Sequence, residues 1–279
     1  MTVSIRLLQA GYCLQSEHLM LAGGAWRTVQ FPALLALLVH PRHGAILYDT
    51  GYSQRFFSET RRWPYSLYAR LTPVVLRPEE LAVAQLRRLG LSAGDVRTVV
   101  ISHFHADHVG ALQDFPRADF RFWADAYAAV RGRQGFGALR AGYLPGLLPG
   151  DFDERARPLD AGAARPLPAR YAPFQHGIDL FGDESVIAVA LPGHAAGQLG
   201  LFVNADDGQR YFLVADACWH RRAYQELRFP HPIANLLFSD PAHYRQTVRQ
   251  LAVFSRQQPD CHIIPSHCTD TRDRYVQGP

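Results

Sequence analysis

The sequence predicts an α/β fold in which strands and helices are intermixed along the chain. Short apolar runs that end at Gly, Pro or Asp recur throughout, as expected for buried strands. Amphipathic patterns with a period of about 3.6 residues lie between them. The 279 residues, 48% of them hydrophobic, can form a large core, which excludes a disordered, collagen-like or coiled-coil chain. These patterns do not distinguish a doubly wound sheet from a sandwich of two sheets flanked by helices.

Eight segments have the pattern of buried strands, four in each half of the chain. They are residues 3–8, 33–39, 45–48, 96–101, 186–191, 199–203, 211–215 and 262–264. Helical patterns occupy residues 78–89, residues 124–131 and a segment that begins at Asp240. Gly90 supplies a stop for the first helix, and Pro241 fits the first turn of the third.

Residues 132–173, which separate the two strand groups, are rich in Gly, Pro, Ala and Arg. We interpret this segment as a lid, or as a connection between the two halves of a single domain that spans residues 1–279. Its apolar side chains would suit an acyl chain or an aromatic group of a substrate. Packing of the same side chains against the rest of the domain is the alternative.

The charge pattern argues against a nucleic-acid partner. All 29 basic residues are arginine, and with 25 acidic residues they give a net charge of +4, but the arginine pairs are dispersed along the sequence. The longest apolar run, residues 31–39, is much shorter than the roughly 20 residues of a transmembrane helix, and the N-terminus lacks a signal-peptide pattern. Four irregularly spaced cysteines do not form a disulfide framework. We expect a cytoplasmic protein with no membrane partner, and its oligomeric state stays open.

A dense group of metal-binding residue types follows the strand at residues 96–101. His103, His105, Asp107 and His108 lie within six residues. Histidines two apart in an extended backbone can converge on one cation, while Asp107 and His108 can reach a second position nearby. Other strand ends carry single candidate ligands, namely His194, Asp216 and His267. Their recurrence argues against a solvated histidine-rich loop, although a lone turn histidine or a capping aspartate is the ordinary structural alternative for each.

Two divalent ions about 4 Å apart need a bridging carboxylate to offset their repulsion, and they can share a hydroxide as the nucleophile. Asp216 is our candidate for that bridge, and Asp107 is our candidate for moving the proton, so these two carboxylates would be catalytic. Because a metal lowers the pKa of water from about 16 towards 7, no serine or cysteine nucleophile is needed, and no G-x-S-x-G motif is present. We expect zinc, with iron or manganese as alternatives.

These segments together resemble the metallo-β-lactamase superfamily. The resemblance rests on His103-Phe104-His105-Ala106-Asp107-His108, Pro192-Gly193-His194, Asp216 and Pro265-Ser266-His267, which occur in the family's order over nearly the full chain. Leu47-Tyr48-Asp49-Thr50-Gly51 also looks like the family's early strand-turn motif. The resemblance implies a four-layer αββα sandwich, with the site at the edge between the two sheets.

The same resemblance implies a ligand set. His103, His105 and His194 would hold one metal, Asp107, His108 and His267 would hold the second, and Asp216 would bridge them. Asp49 would accept the spare N–H of a ligating histidine, although a plain turn aspartate is equally compatible with Asp-Thr-Gly.

Within the superfamily, the spacing of 22 residues from His194 to Asp216 is most similar to the branch of N-acyl-homoserine lactonases and related esterases. Those lactonases typically carry a tyrosine three residues after the bridging aspartate, where this chain has Trp219. An indole cannot supply the same hydroxyl. Tyr211, Tyr224 or His220 is the candidate substitute near the substrate.

The branch implies a binuclear metal-dependent hydrolase that cleaves an ester-like bond of a small molecule by means of a metal-bridged hydroxide. Lactones, carboxylic esters and thioesters are the expected substrates. One alternative is a phosphodiesterase of the same fold, in which Arg221 or Arg222 would contact the phosphate. The other is a non-catalytic metal-binding or ligand-sensing protein that retains the fold.

Overall fold

The protein is described by a computed structural model that covers residues 1–276. Thirteen strands in these residues form two mixed sheets. The strands are β1 (Ser4–Ser16), β2 (Thr28–His40), β3 (Gly44–Tyr48), β4 (Val74–Val75), β5 (Val96–Val100), β6 (Asp119–Trp123), β7 (Ala156–Leu159), β8 (Arg165–Pro166), β9 (His176–Asp179), β10 (Val186–Ala190), β11 (Leu199–Asn204), β12 (Arg210–Ala215) and β13 (Cys261–Pro265). All eight predicted strands are present among them.

Eleven α-helices occur in the same part of the chain. They are α1 (Glu17–Met20), α2 (Gln54–Glu59), α3 (Ser66–Leu71), α4 (Ala82–Arg88), α5 (Ala106–Val109), α6 (Ala124–Ala128), α7 (Gly135–Arg140), α8 (Phe152–Arg155), α9 (Arg221–Gln225), α10 (Pro241–Gln257) and α11 (Thr269–Tyr275). As predicted, α10 begins after Asp240, whose carboxylate accepts the N–H groups of Ala242 and His243.

The first sheet has the strand order β4-β1-β2-β3-β5-β6-β7. Strands β4, β1, β2 and β3 pair antiparallel, and β3, β5, β6 and β7 pair parallel. Leu37, Leu47, Val99 and Phe120 lie side by side across four neighbouring strands, and all four are buried. Parallel strands covered on both faces read as continuous apolar runs, which is why β3 and β5 were visible in the sequence.

The second sheet has the order β13-β12-β11-β10-β9-β8, in which only β12 and β13 pair parallel. The rings of Phe202 and Phe212 stack at 3.8 Å, and Phe254 of α10 packs against both. The two sheets meet where the Tyr48 hydroxyl of β3 donates to the Leu199 carbonyl of β11 at 2.8 Å. Two mixed sheets with helices confirm the predicted sandwich.

The predicted helix at residues 78–89 is interrupted in the structure. A 3-10 turn covers Pro78–Glu80, and α4 starts only after Leu81, whose backbone is extended. The Gln85 side chain donates to the Glu80 carbonyl at 2.7 Å and to the Gln9 carbonyl at 2.9 Å. Gln85 thus supplies a hydrogen bond to the carbonyl just before the interruption, a contact that helical periodicity does not reveal.

Residues 132–173 run from one sheet to the other, because they contribute β7 to the edge of the first sheet and β8 to the edge of the second. Their role as a lid stays a prediction, as does the single domain, of which residues 277–279 lie outside the described part. Among residues 1–276, no helix combines the length and the apolar character needed to cross a membrane.

Candidate metal centre

The candidate ligands and Asp49 follow five strands, and each lies beyond the carboxyl end of its strand. Asp49 follows β3, the group from His103 to His108 follows β5, His194 follows β10, Asp216 follows β12 and His267 follows β13. Backbone hydrogen bonds link two of these ends to strands of the other sheet. Leu199 N–H donates to the Ser102 carbonyl at 3.0 Å, and Leu34 N–H donates to the Ser266 carbonyl at 3.2 Å. The side chains therefore meet at one edge of the sandwich.

Two of the supporting backbone positions carry strain. Of the four non-glycine residues with positive φ in residues 1–276, one is Asp49 and another is Ala215, the residue before Asp216. A left-handed backbone is costly for a residue with a Cβ and persists where the surrounding structure imposes it, often at a functional site. Both strained positions here aim a carboxylate towards the candidate ligands.

His194 is held by the start of α10. Asp240 N–H donates to the Gly193 carbonyl and Ser239 N–H donates to the His194 carbonyl, each at 2.9 Å. A Cβ at Gly193, where φ is +129°, would collide with the Tyr244 backbone. Only glycine permits this close approach of the loop to the helix.

The first group of ligand atoms belongs to His103, His105, His194 and Asp216, and all of these atoms lie within 4.8 Å of one another. His194 Nε2 is 3.0 Å from His105 Nδ1 and 3.2 Å from Asp216 Oδ2. Burial lowers the pKa of His105 to about 4 and that of His194 to about 3, and it lowers the pKa of His103 well below its ordinary value. These imidazoles are therefore neutral at pH 7, as metal ligands must be.

The second group belongs to Asp107, His108 and His267, whose ligand atoms also lie within 4.8 Å of one another. Asp107 Oδ2 is 3.4 Å from His108 Nε2 and 3.3 Å from His267 Nε2. Burial alone would lower the pKa of His108, but Asp107, Asp49 and Asp216 raise it well above its ordinary value. Burial would raise the pKa of Asp107, but His108 and His267 lower it to about 2. This pocket strongly favours positive charge.

Asp216 lies between the two groups. Its Oδ1 is 3.2 Å from His108 Nε2 in the second group. Its Oδ2 is 3.2 Å from His194 Nε2 in the first group and 2.9 Å from His267 Nε2 in the second. One buried carboxylate thus contacts both sets of histidines.

The unpaired polar atoms of the centre fit divalent cations. His103 Nε2, His108 Nε2, His194 Nδ1 and Asp216 Oδ1 are buried without a hydrogen-bond partner. Such atoms cost about 1–3 kcal/mol each unless something satisfies them. His108 Nδ1 lies 2.7 Å from Asp49 Oδ2, and His267 Nδ1 lies 2.8 Å from the Pro32 carbonyl. Donation of Nδ1–H to these acceptors leaves an Nε2 lone pair on each ring for a metal such as zinc.

Ser102 contacts the centre and is absent from the candidates that the sequence predicts. Its Oγ lies 3.0 Å from His103 Nδ1 and 3.3 Å from His108 Nδ1, and its N–H donates to Asp49 Oδ1 at 2.7 Å. One residue therefore contacts a histidine of each group and the Asp49 carboxylate. The sequence feature that could have identified Ser102 is a hydroxyl residue directly before His103, at the end of a buried strand.

Trp219 reaches the centre and His220 does not join either group. The Trp219 indole N–H donates to Asp216 Oδ2 at 3.2 Å. The His220 side chain instead caps the N-terminus of α9, because its Nδ1 accepts the Arg222 N–H at 3.2 Å. A neutral ring that accepts at Nδ1 carries its proton on Nε2. His220 is therefore unsuited to bind a metal through Nε2 with its neighbours Cys268 and Asp270, although the three side chains cluster.

Of the two tyrosines considered from the sequence, Tyr211 does not replace the missing hydroxyl, because it is at the far end of β12 and donates to Asp207 at 2.9 Å. A different phenol, Tyr68 on α3, lies near the centre. Burial and then the Asp107 charge raise the pKa of Tyr68 well above its ordinary value, despite a hydrogen bond with the Ala106 backbone. Its hydroxyl therefore stays protonated and lies close to Asp107.

Comparisons with known proteins bear on the family and the fold. The model of the metallo-beta-lactamase superfamily matches residues 34–217. The N-acyl homoserine lactonase AttM of Azorhizobium caulinodans is 25% identical over 99% of this chain and 97% of its own length. A solved N-acyl homoserine lactone hydrolase with N-hexanoyl-L-homoserine at its catalytic metal centre has a TM-score of 0.74 at 18% identity, over 98% of this chain and 96% of that one. AidC, a dizinc quorum-quenching lactonase, has a TM-score of 0.63 at 13% identity, over 96% and 90%.

Proposed function

The chain belongs to the metallo-beta-lactamase superfamily, and on that premise we propose that it is a binuclear metallo-hydrolase that opens lactone rings. The observation that carries the proposal is the position of Asp216, with Oδ1 facing His108 and Oδ2 facing His194. A carboxylate between two buried groups of ligand atoms is what a bridge between two cations requires. We propose zinc as the ion, because the donors are imidazole nitrogens and carboxylate oxygens, with iron and manganese as alternatives.

The proposed ligand sets are those expected from the family resemblance. His103, His105 and His194 would hold one ion, Asp107, His108 and His267 would hold the other, and Asp216 would contact both. Bound ions of this kind lower the pKa of water towards neutrality and polarise a substrate carbonyl. Asp49 and the Pro32 carbonyl keep the rings of His108 and His267 turned so that Nε2 faces the centre.

Asp107 is the proposed proton carrier. The low pKa of its carboxyl keeps it anionic at neutral pH, and Oδ2 lies at the centre beside His267. It would accept a proton from the attacking water and give it to the ring oxygen that leaves the lactone carbonyl. The protonated Tyr68 hydroxyl would donate a hydrogen bond to an oxygen of the substrate.

N-acyl homoserine lactones are the substrate class that we propose to test first, because AttM carries that activity in its name and aligns with nearly the whole chain. Apolar rings next to the candidate ligands also suit an acyl substituent. The ring of Phe31 is 5.5 Å from that of His267, and the ring of Phe238 is 5.6 Å from that of His194. Carboxylic esters and thioesters share the same reacting carbonyl and belong in the same substrate panel.

The phosphodiesterase alternative has less support. It requires a cation for the phosphate, and Arg221 and Arg222 were its candidates. Arg222 is paired with Glu226 at 2.8 Å, and Arg221 donates to Gln225 at 3.1 Å, both along α9. These contacts engage both guanidinium groups within their own helix.

The test measures metal content and turnover together. Protein purified without added metal is expected to hold close to two ions per chain and to prefer an acyl lactone over an aryl ester, a thioester and an aryl phosphodiester. Asp216→Ala is expected to lose one metal equivalent and nearly all turnover, whereas Asp206→Ala, at an exposed turn, is expected to lose neither. Full metal content in Asp216→Ala would refute the bridging assignment.

A further inference from the structure

We propose that Trp219 is a positioning residue whose indole N–H fixes the orientation of the Asp216 carboxylate and thereby strengthens metal binding. The inference rests on the proposed binuclear centre. It assigns to Trp219 a task different from that of a hydroxyl acting on the substrate, because its N–H is already used by a protein acceptor.

The Trp219 indole makes a hydrogen bond to one oxygen of the Asp216 carboxylate. Trp219 Nε1 lies 3.2 Å from Asp216 Oδ2, whereas Oδ1 has no hydrogen-bond partner. An indole is a donor only, so it distinguishes the two carboxylate oxygens: one accepts its proton and the other is left to face His108 Nε2 at 3.2 Å. Oδ2 also faces His267 Nε2 at 2.9 Å and His194 Nε2 at 3.2 Å. When those nitrogen atoms bind metal ions they no longer donate, and the indole N–H then constrains the terminal torsion of the carboxylate, which is broad for aspartate.

The indole of Trp219 is held in place by its neighbours, so its N–H cannot easily turn away from Asp216. Its ring is 7% exposed and lies between aromatic neighbours. The ring centroids are 5.3 Å from Phe238, 5.8 Å from His194 and 6.0 Å from Phe31. These edge and tilted contacts fix the plane of the indole, and hence the direction of its N–H.

A comparison with Trp123 shows that this hydrogen bond is not a general property of buried tryptophans in this protein. Trp123 is 6% exposed, nearly as buried as Trp219, and its Nε1 has no hydrogen-bond partner. The two residues therefore differ in the one feature that the proposal uses. Trp123 provides a matched control with the same side chain, a similar burial and no donor contact.

The experiment compares Trp219→Phe with Trp123→Phe, since each keeps an aromatic ring and removes the indole N–H. Zinc affinity is measured by competition with a chromogenic chelator, and the Co(II)-substituted proteins are compared by visible absorption. Loss of a partner that orients a metal ligand typically costs 10–100-fold in metal affinity. We expect a loss of that size and an altered Co(II) spectrum for Trp219→Phe, and less than a twofold change for Trp123→Phe. Wild-type affinity in Trp219→Phe would overturn the proposal.

A packing role is tested by Phe238→Leu, which removes one of the three rings against the indole and keeps the N–H and the contacts of the indole with His194 and Phe31. Affinity within a few-fold of wild type in this variant, with a clear loss in Trp219→Phe, supports positioning, whereas equal losses in both would overturn it. If Trp219→Phe does not fold, the proposal is tested instead on the wild-type protein, by the rate at which each indole N–H proton exchanges with solvent. Broadening by Co(II) identifies the Trp219 signal, and exchange as fast as that of the exposed Trp26 and Trp63 indoles would contradict the proposal.

Failure of the proposed function is a separate outcome. A wild-type protein that does not bind two ions refutes the binuclear centre before any variant is compared. A wild-type protein with two ions and an equally tight Trp219→Phe variant refutes the role of Trp219 alone.

Discussion

At the scale of single residues, the centre depends as much on side chains that hold the imidazoles as on the candidate ligands. Asp49 and Ser102 contact the Nδ1 atoms of His103 and His108 and so constrain which tautomer each ring adopts. Such contacts raise ligand basicity and fix ring orientation. They also explain why buried histidines can keep Nε2 without a hydrogen-bond partner.

Tyr68→Phe tests the proposed substrate contact. Removal of one hydrogen-bond donor to a developing negative charge typically costs about 100-fold in kcat or more, and a partly exposed donor costs less. We expect kcat for lactone hydrolysis to fall about 10–100-fold, with metal content unchanged. Tyr65→Phe is the control, because that hydroxyl accepts the Gly135 N–H instead of lying at the centre. Equal rates in both variants and wild type would exclude Tyr68 from the reaction.

Trp219→Tyr tests whether a missing hydroxyl limits the reaction. If the phenol reaches the substrate, lactonase activity rises. If orientation of Asp216 matters more, metal affinity falls and the rate does not rise. The effect on turnover is measured as the initial rate at saturating zinc, and the effect on metal binding is measured as zinc affinity by chelator competition. The two measurements on this one variant separate the two effects.

The residues that the structure brings together as candidate ligands, and Asp49 beside them, could be predicted from the sequence, whereas the other supports could not. His103 to His108 are close in sequence, and each of the other candidates follows an apolar run, so type and spacing were sufficient. Ser102, Phe238 and Tyr68 are ordinary residue types at ordinary positions. Their importance arises from contacts between distant segments, which no local pattern encodes.

At the scale of elements, α7 matters because of how it ends. Gly142 follows the helix with φ at +62°, its N–H donates to Leu139, and the N–H of Tyr143 donates to Ala138. A Cβ at Gly142 would lie 2.5 Å from Cδ2 of His105. The segment of residues 132–173 therefore packs directly on a candidate ligand, whether or not it moves as a lid.

Gly142→Ala is expected to weaken zinc binding at least 10-fold, because the new methyl group displaces the His105 imidazole. The matched control is Gly132→Ala, which has φ at +73° and open space around the added Cβ. Both variants should lose about 1 kcal/mol of stability from the left-handed backbone. Thermal unfolding and zinc affinity measured on both separate strain from displacement, and equal affinities would contradict the contact.

Several elements of the structure were not predicted from the periodicity of apolar residues in the sequence. The interruption of the predicted helix before α4 and the five strands β4, β6, β7, β8 and β9 were absent from the sequence prediction. These strands have two to five residues, and all but β4 include a proline or a charged residue, as β7 does with Arg157 and Pro158. Their pairing is decided by neighbours in the sheet, which a short polar segment does not reveal.

At the scale of the whole molecule, Asp183 joins the two sheets. It lies in the turn between β9 and β10 and contacts the β2–β3 turn, where Arg42 donates to its carboxylate at 2.8 Å and His40 Nε2 lies at 3.0 Å. Burial would raise the pKa of Asp183, but hydrogen bonds from Ser185, Arg42 and His40 lower it well below its ordinary value. The carboxylate is therefore more stable in the folded protein than in the unfolded chain.

Asp183→Asn is expected to reduce the free energy of unfolding by about 1–2 kcal/mol at pH 7, since it weakens hydrogen bonds to a charged group. Because the folded pKa lies below the unfolded value of about 3.9, this stabilisation is present above about pH 4 and is lost as the pH falls further. Urea unfolding from pH 7 to pH 2 should show the gap between variant and wild type closing in acid. A gap that widens in acid would contradict the assignment.

The sandwich was predicted through a family resemblance, since the alternation of strands and helices fitted two architectures. Chemistry at the strand ends pointed to that family, because the residues that follow β5 and β13 can contribute to one centre only if both strand ends face the same edge. The assignment of individual strands to each sheet then follows from the core, as with the contact between Tyr48 and Leu199.

The convergence of five strand ends also has a topological consequence. His108 and His267 lie far apart in the sequence, so an ion held by both would close a loop that includes more than half of the chain. An ion that binds the folded state and not the unfolded chain acts as a reversible cross-link, whose contribution grows with the free ion concentration. The melting temperature of the protein would then report the zinc concentration around it, and its resistance to heat would be a property of its solution as well as of its sequence.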